Sequence, residues 1–431
     1  MFVSYKVANV LSFDDPVCFS MMEQRKTKRH TEHVTDSAGV RCLRGAAIYG
    51  ANASGKSNLV RSMSLIRQAL RENDCTILSG HQFAMRVPVR PVMKWEIAFT
   101  GEDSLFVYSV GVDNEQVVEE SLRRIDAEDE MVFSRTTEKG VFLGDVLLSD
   151  RWFDGKVRRS AFYFRKVIED GLLELPLDTP AKALFASAYK AFRRIEIVDA
   201  NSTARPDRLA KKLEVDAFKS FVRELMKTAD VGITDIRWNP IPLNSRVAEI
   251  AKSLVDEKTL KRDGAQFSRN GNSFFSAIVH DGKTEFFELR FVHGDMVMRA
   301  SDESDGTLRL LEYSLFLYSL RCDEMTWVVD EIDRSLHPYL TRFILRESLQ
   351  HMNSKSQLII TTHDTTQLTQ ENWRTDEVWF TEKRPDGSTD LYSLYQFRPR
   401  YDVDIEKGYM EGRWGAVPYL GKRLDEEFAH D

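Results

Sequence analysis

No run of about 18 apolar residues occurs in the 431-residue chain, so no membrane span is predicted. The opening "MFVSYKVANVLSF" has neither the basic start nor the unbroken apolar block of a secretory leader; it alternates like a strand. Together these absences predict a cytoplasmic protein. Cysteine is scarce: Cys18, Cys42, Cys75 and Cys322 lie far apart, with no Cys-x-x-Cys pair, which argues against a disulfide framework or a cysteine zinc site. A basic excess is missing too. The formal net charge is −7, so only a local basic surface would draw in nucleic acid. Internal repeats and low-complexity tracts are absent. What remains is a balance of 42% hydrophobic and 29% charged residues, which suits a soluble globular chain of two or three domains.

Residues 2–20 read as strands broken at "SFDDP", and "EQRKTKRHTEH" reads as a solvated basic loop. A short apolar run, "GAAIY", is followed by "SNLVRSMSLIRQALREN", where Leu59, Met63, Ile66 and Leu70 recur at helical spacing. Residues 94–150 alternate as a mostly antiparallel sheet does. A helical region follows. Phe218, Phe221, Val222 and Leu225 form one apolar stripe within it, and a third helix is predicted near 246–260. Strands return at "KTEFFELRFV" and "DMVMRAS", and from 303 to about 380 helix and strand alternate as in an α/β core. The tail "YDVDIEKGYMEGRWGAVPYLG" reads as loop.

Residues 50–57, "GANASGKS", fit G-x-x-x-x-G-K-[ST] in full, with a strand before and an amphipathic helix after. Glycine lets the backbone wrap a phosphate with its N–H groups inward, and the helix start adds a positive dipole end. Gly50, Asn52, Ser54, Gly55 and Asn58 are therefore candidate ATP-binding residues. Lys56 would reach the β- and γ-phosphates, and Ser57 would ligate Mg²⁺. In "EMTWVVDEID" a buried strand ends at Asp330, a second Mg²⁺ ligand, and Glu331, a general base for the attacking water. An acidic strand end is common, so this pair gains its meaning from the phosphate loop. "SQLIITTHD" ends a further strand before His363, which would hydrogen-bond the γ-phosphate; between Asp330 and His363 there is room for a helix and one parallel strand. Ser304, Gly306 and Thr307 precede a long helix. Taken alone they read as an ordinary N-cap; as a second anion site they suggest a second protomer completing the pocket.

In this order the four elements resemble the ABC-type ATPase heads of the SMC/Rad50/RecF and OLD-like superfamily. The resemblance implies an α/β P-loop fold, with lobe I at 1–149 carrying the antiparallel sheet, a helical insert at 150–284 serving as partner or oligomer interface, and lobe II at 285–431. It makes Ser304 and Gly306 a signature that closes on the nucleotide of a second copy, although Glu303, Asp305 and Thr307 depart from Leu-Ser-Gly-Gly-Gln. The Ser-x-Gly-Thr form is similar to prokaryotic AAA-15 and AAA-21 members. Ser335, Leu336, His337 and Pro338 look like the D-loop, and Gln82 is the candidate Q-loop residue. The layout and tail look most like RloA and abortive-infection ATPases, with the Septu and PARIS subunits as relatives. About 270 residues separate Lys56 from Asp330, without a heptad run long enough for an SMC arm. The stretch after His363 leaves no room for the nuclease domain of OLD proteins, and no HNH or acidic nuclease cluster appears. The expectation is a Mg²⁺-dependent regulatory ATPase that dimerises on ATP and controls a separate effector, a nuclease or toxin, with a phage-derived trigger. A RecF-like DNA clamp and an ATP-dependent assembly scaffold are the alternatives.

Overall fold

The alternating N-terminus folds as the strand Phe2–Ala8, which pairs with Val17–Ser20 on one side and Met93–Thr100 on the other. A computed structural model describes residues 1–24, 27, 29–85, 92–126, 128–144, 157–171, 180–199, 206–256, 260, 265–280, 283–400 and 402–418. The chain forms two compact units. One comprises Met1–Asp199, Glu324–Ile332 and Asn353–Asp431, the other Ala200–Asp323 and Asp333–Met352.

In the first unit a seven-stranded antiparallel sheet runs in the order Gly140–Leu143, Asp129–Thr136, Gln116–Ile125, Leu105–Asp113, Met93–Thr100, Phe2–Ala8, Val17–Ser20. The end of the expected sheet, 145–150, lies outside the described residues. Period-two alternation puts Tyr5, Val7, Trp95, Ile97, Tyr108 and Val110 into one core with Leu59, Met63, Ile66 and Leu70 of the helix Lys56–Glu72. The second sheet is ordered Ile195–Val198, Thr326–Val329, Gln357–Thr361, Gly45–Tyr49, Val378–Lys383, Thr389–Ser393. All but the last strand are parallel, and their apolar runs suit a sheet covered on both faces. Buried Gln357 joins the two sheets. Its Oε1 accepts from Phe2 N (2.7 Å) and Thr326 Oγ1 (2.9 Å), while its Nε2 donates to the carbonyls of Phe2 and Leu43, both at 2.9 Å.

The second unit holds the helices Pro206–Leu213, Asp216–Thr228, Arg246–Ser253, Asp305–Cys322 and Pro338–His351. The predicted helix at 246–260 ends at Ser253; residues 257–259 lie outside the described ones. The middle of the chain is not all helix. Asp235–Pro240, Lys283–His293, Ser273–His280 and Ala265–Asn270 form an antiparallel sheet, and Met296–Arg299 adds to Lys283–His293. Ile195–Val198, also in that middle stretch, is the edge of the parallel sheet. The apolar stripe of Asp216–Thr228 is covered within its own unit: Phe218 and Phe221 meet Tyr318 edge-on at 5.2 and 5.5 Å between ring centroids. The tail, read as loop, contains a short helix, Ile405–Met410, capped by Asp404; residues 401 and 419–431 lie outside the described ones. The basic loop also differs. It contains a 3-10 turn, Thr31–His33, with His33 buried, while residues 25, 26 and 28 lie outside the described ones. No helix among the described residues is long and apolar enough to cross a membrane.

Candidate nucleotide site

The buried strand Gly45–Tyr49 delivers the loop 50–55, and the helix Lys56–Glu72 leaves it. Two glycines are required by space as well as by backbone. A Cβ on Gly50 would lie 2.5 Å from the Thr381 carbonyl and 2.6 Å from Ser54 Oγ; one on Gly55, at φ +115, would strike the Thr389 side chain. Lys56 is 4% exposed, and its Nζ donates to the loop carbonyls of Gly50 (2.6 Å) and Ala51 (3.0 Å). Its amine is therefore held at the mouth of the loop by groups of the loop itself.

Ser57 Oγ donates to Asp330 Oδ1 at 3.3 Å, which brings the two candidate magnesium ligands together from positions far apart in the chain. Buried Asp330 follows the strand Thr326–Val329, and the hydroxyl of Thr361 donates to the same Oδ1 at 2.5 Å. Thr361 Oγ1 also accepts from Glu331 N at 2.8 Å. That bond holds Glu331 in the left-handed backbone region, φ 49, which a side-chain-bearing residue adopts at a cost. One threonine thus fixes both acidic residues. His363 follows the adjacent strand Gln357–Thr361 with its side chain exposed.

Other candidates lie further out. Asn58 Nδ2 donates to Ser12 Oγ at 2.8 Å, bracing the helix start against the turn after the first strand. Asn52 is exposed at the loop tip. Gln82 sits half-buried after the turn Cys75–Leu78, and among the described residues no hydrogen bond joins it to the loop. Ser304 and Gly306 belong to the other unit. There Ser304 caps the helix Asp305–Cys322, accepting from Thr307 N at 3.1 Å, and a Cβ on Gly306 would lie 2.7 Å from the Ser335 carbonyl. The signature stretch and the Ser335 turn are therefore packed against each other, and Ser335 too is left-handed, φ 61.

Sequence reading missed the hydroxyls that brace the site. Besides Thr361, Thr381 Oγ1 lies 2.6 Å from Ser54 Oγ, and Thr389 Oγ1 donates to Ser54 O at 2.9 Å. The signal available was polar residues inside or ending otherwise apolar strands. The donor set fits a nucleotide with magnesium: a hydroxyl and a carboxylate converge beside a lysine and a loop where the structure leaves no room for Cβ atoms.

A phosphate loop at the end of the strand Gly45–Tyr49 and an acidic pair at the end of Thr326–Val329, in one parallel sheet, make this a P-loop α/β fold. Residues 46–368 match the family described as "AAA domain, putative AbiEii toxin, Type IV TA system", and the chain belongs to that family. Among solved structures it is similar to an SMC head bound to the C-winged helix domain of ScpA, with TM-score 0.45, 14% identity, and 92% of this chain and 99% of that one covered. It is also similar to the SMC head domain from Thermotoga maritima, with TM-score 0.39, 14% identity and coverage of 91% and 98%. A third is the Smc head with an extended coiled coil bound to the C-terminal domain of ScpA derived from Pyrococcus furiosus, with TM-score 0.37, 14% identity and coverage of 92% and 99%. No curated protein matches the chain significantly.

Proposed function

We propose that the chain is a magnesium-dependent, ATP-hydrolysing regulatory subunit that acts in the cytoplasm. ATP closes two copies head to head, and the closed state governs a separate effector protein, a nuclease or toxin, in an abortive-infection response to phage of the RloA kind. The observation that carries the reading is the joining of Ser57 to Asp330, and of Asp330 to Glu331 through Thr361, beside the phosphate loop. Backbone N–H groups of residues 50–57 and the Lys56 amine bind the phosphates. Ser57 and Asp330 would hold the magnesium ion, which supplies charge neutralisation at the phosphate oxygens. Glu331 accepts the proton of the attacking water, and His363 donates a hydrogen bond to the terminal phosphate. Ser304 and Gly306 act on the nucleotide of the second copy, and the middle segment 150–284 serves as the partner-facing element. The family's description, which names a Type IV TA system, supports a two-component arrangement.

Mixing two inactive variants tests this. Ser304→Arg keeps the phosphate loop and loses the closing surface; Lys56→Ala does the reverse. In a mixed dimer one composite site carries both defects and the other none. Hydrolysis should therefore return to a fraction of the wild-type rate as subunits exchange. No return at any ratio, with exchange verified, counts against a shared site. Glu331→Gln should bind ATP, cleave it slowly and accumulate as a dimer; wild-type turnover in that variant would remove Glu331 from its role. Pull-down with the neighbouring gene product tests the effector, and salt-sensitive DNA affinity without such a partner would instead favour a DNA clamp.

A further inference from the structure

The turn that follows the basic loop reads His30-Thr31-Glu32-His33, and the function above makes no use of it. One ligand atom from each of His30, Glu32 and His33 lies within 4.8 Å of the others. His30 Nδ1 is 3.3 Å from Glu32 Oε1, and His33 Nε2 is 3.8 Å from the same oxygen. Two nitrogen or oxygen ligands on a tetrahedral zinc ion stand about 3.3 Å apart, given bonds of about 2.0–2.1 Å. The Glu32 side chain is 63% exposed and has room to close the longer gap.

Each histidine is oriented from behind. His30 Nε2 lies 2.9 Å from the Gln370 carbonyl, which only accepts, so Nε2 carries a hydrogen and the neutral ring presents its Nδ1 lone pair to Glu32. His33 Nδ1 lies 3.0 and 3.1 Å from the two oxygens of buried Glu377 and donates to them, leaving the Nε2 lone pair turned to the same side. Glu377 is itself held by the backbone N–H of Arg374 at 2.8 Å. A carbonyl and a carboxylate behind two imidazoles is the outer shell that metal-bound histidines use. His30 adopts a left-handed backbone, φ 49, and its ring centroid lies 4.7 Å from that of His33, the two planes tilted by 30°. Lone pairs facing a carboxylate oxygen repel unless a cation stands between them.

We propose that His30, Glu32 and His33 bind a divalent transition ion of the zinc class, with Gln370 and Glu377 as its outer shell and one position left open. Two imidazoles and one carboxylate are too nitrogen-rich for magnesium or calcium and suit zinc or cobalt. The ion would act at a place separate from the phosphate loop, and the inference does not depend on ATP hydrolysis.

The full-length protein, stripped with EDTA and returned to excess Mg²⁺ to occupy oxygen-only sites, is titrated with Co²⁺. One equivalent should bind with the strong visible absorption of a four- or five-coordinate ion, and Zn²⁺ should abolish that absorption. Glu32→Gln and His30→Asn should each weaken binding at least about tenfold while leaving ATP affinity and the circular dichroism spectrum unchanged. Both positions are used because neither removes the partner of buried Glu377. Absence of the absorption at stoichiometric Co²⁺, or its survival in either variant, overturns the proposal and leaves the turn as a proton-bridged cluster.

Discussion

Thr361 is the residue on which most of the candidate chemistry converges, because one hydroxyl serves two masters: it donates to Asp330 and accepts from Glu331 N. Thr361→Val keeps the shape and the strand and loses both bonds. We expect ATP affinity to stay within about twofold while kcat falls about ten- to a hundredfold, with Thr361→Ser restoring most of it. A purely structural residue would lower stability and leave kcat per folded molecule alone, so single-turnover rates on the purified variant decide. The phosphate loop was legible because its fixed residues are packed into eight positions and each has one chemical reason to be there. Thr361 was not legible. Serine and threonine end many strands, and its two partners lie 30 and 31 positions away, so nothing local marks it. Asn58 is the reverse case: its place beside the loop suggested nucleotide contact, yet its amide is used on Ser12.

Among elements, the helix Asp216–Thr228 is legible in outline but not in partner. Its stripe was visible at helical spacing, but an apolar stripe does not say what it covers. The answer is Tyr318, on the helix Asp305–Cys322 of the same unit. Phe218→Ala should therefore cost about 3–5 kcal/mol in urea unfolding through the cavity it leaves. Of the sheet whose strands Lys283–His293 and Met296–Arg299 were readable, the hairpin Ala265–Asn270 and Ser273–His280 was overlooked because its first strand is polar. The turn Gly271-Asn272 between Asn270 and its partner Ser273 was the usable signal, since two such residues with positive φ at Gly271 close a tight hairpin. In the antiparallel sheet of the first unit, Glu120 is buried and accepts from Tyr163 N (2.7 Å), Phe164 N (2.9 Å) and the Tyr108 hydroxyl (3.0 Å). Burial, the largest influence, raises its carboxyl above the ordinary range, against the pull of these donors and Arg135. A folded value above the unfolded one means that the contribution is complete below about pH 4.5 and falls as pH rises through the folded value. Between those points, the urea midpoint of the wild type should fall relative to that of Glu120→Gln. A parallel pair of pH profiles would refute the assignment.

For the molecule as a whole, the phosphate loop and both acidic residues belong to one compact unit and the signature to the other. MgATP should accordingly stabilise even the isolated protomer, by about 2.7 kcal/mol at a hundredfold excess over Kd. Thermal unfolding at low protein concentration should show this shift in wild type and in Ser304→Arg and lose it in Lys56→Ala. A shift lost in Ser304→Arg would mean that the signature touches nucleotide within its own chain. The parallel sheet was readable from sequence as an alternating α/β pattern, whereas its outermost strand, Ile195–Val198, was hidden in a stretch dominated by helices. The Gln357 amide has one more consequence, for the order of events on the ribosome. The side chain that bonds both the N–H and the carbonyl of Phe2 is made 355 positions after it. The strand Gly45–Tyr49 likewise waits for both of its neighbours, Gln357–Thr361 and Val378–Lys383. At about 5–20 residues per second, the first strand spends roughly 20–70 s of synthesis without its locking partner. During translation the nascent antiparallel sheet must hold together on its own hairpins, and the nucleotide loop takes its final setting only after Val378–Lys383 has been made.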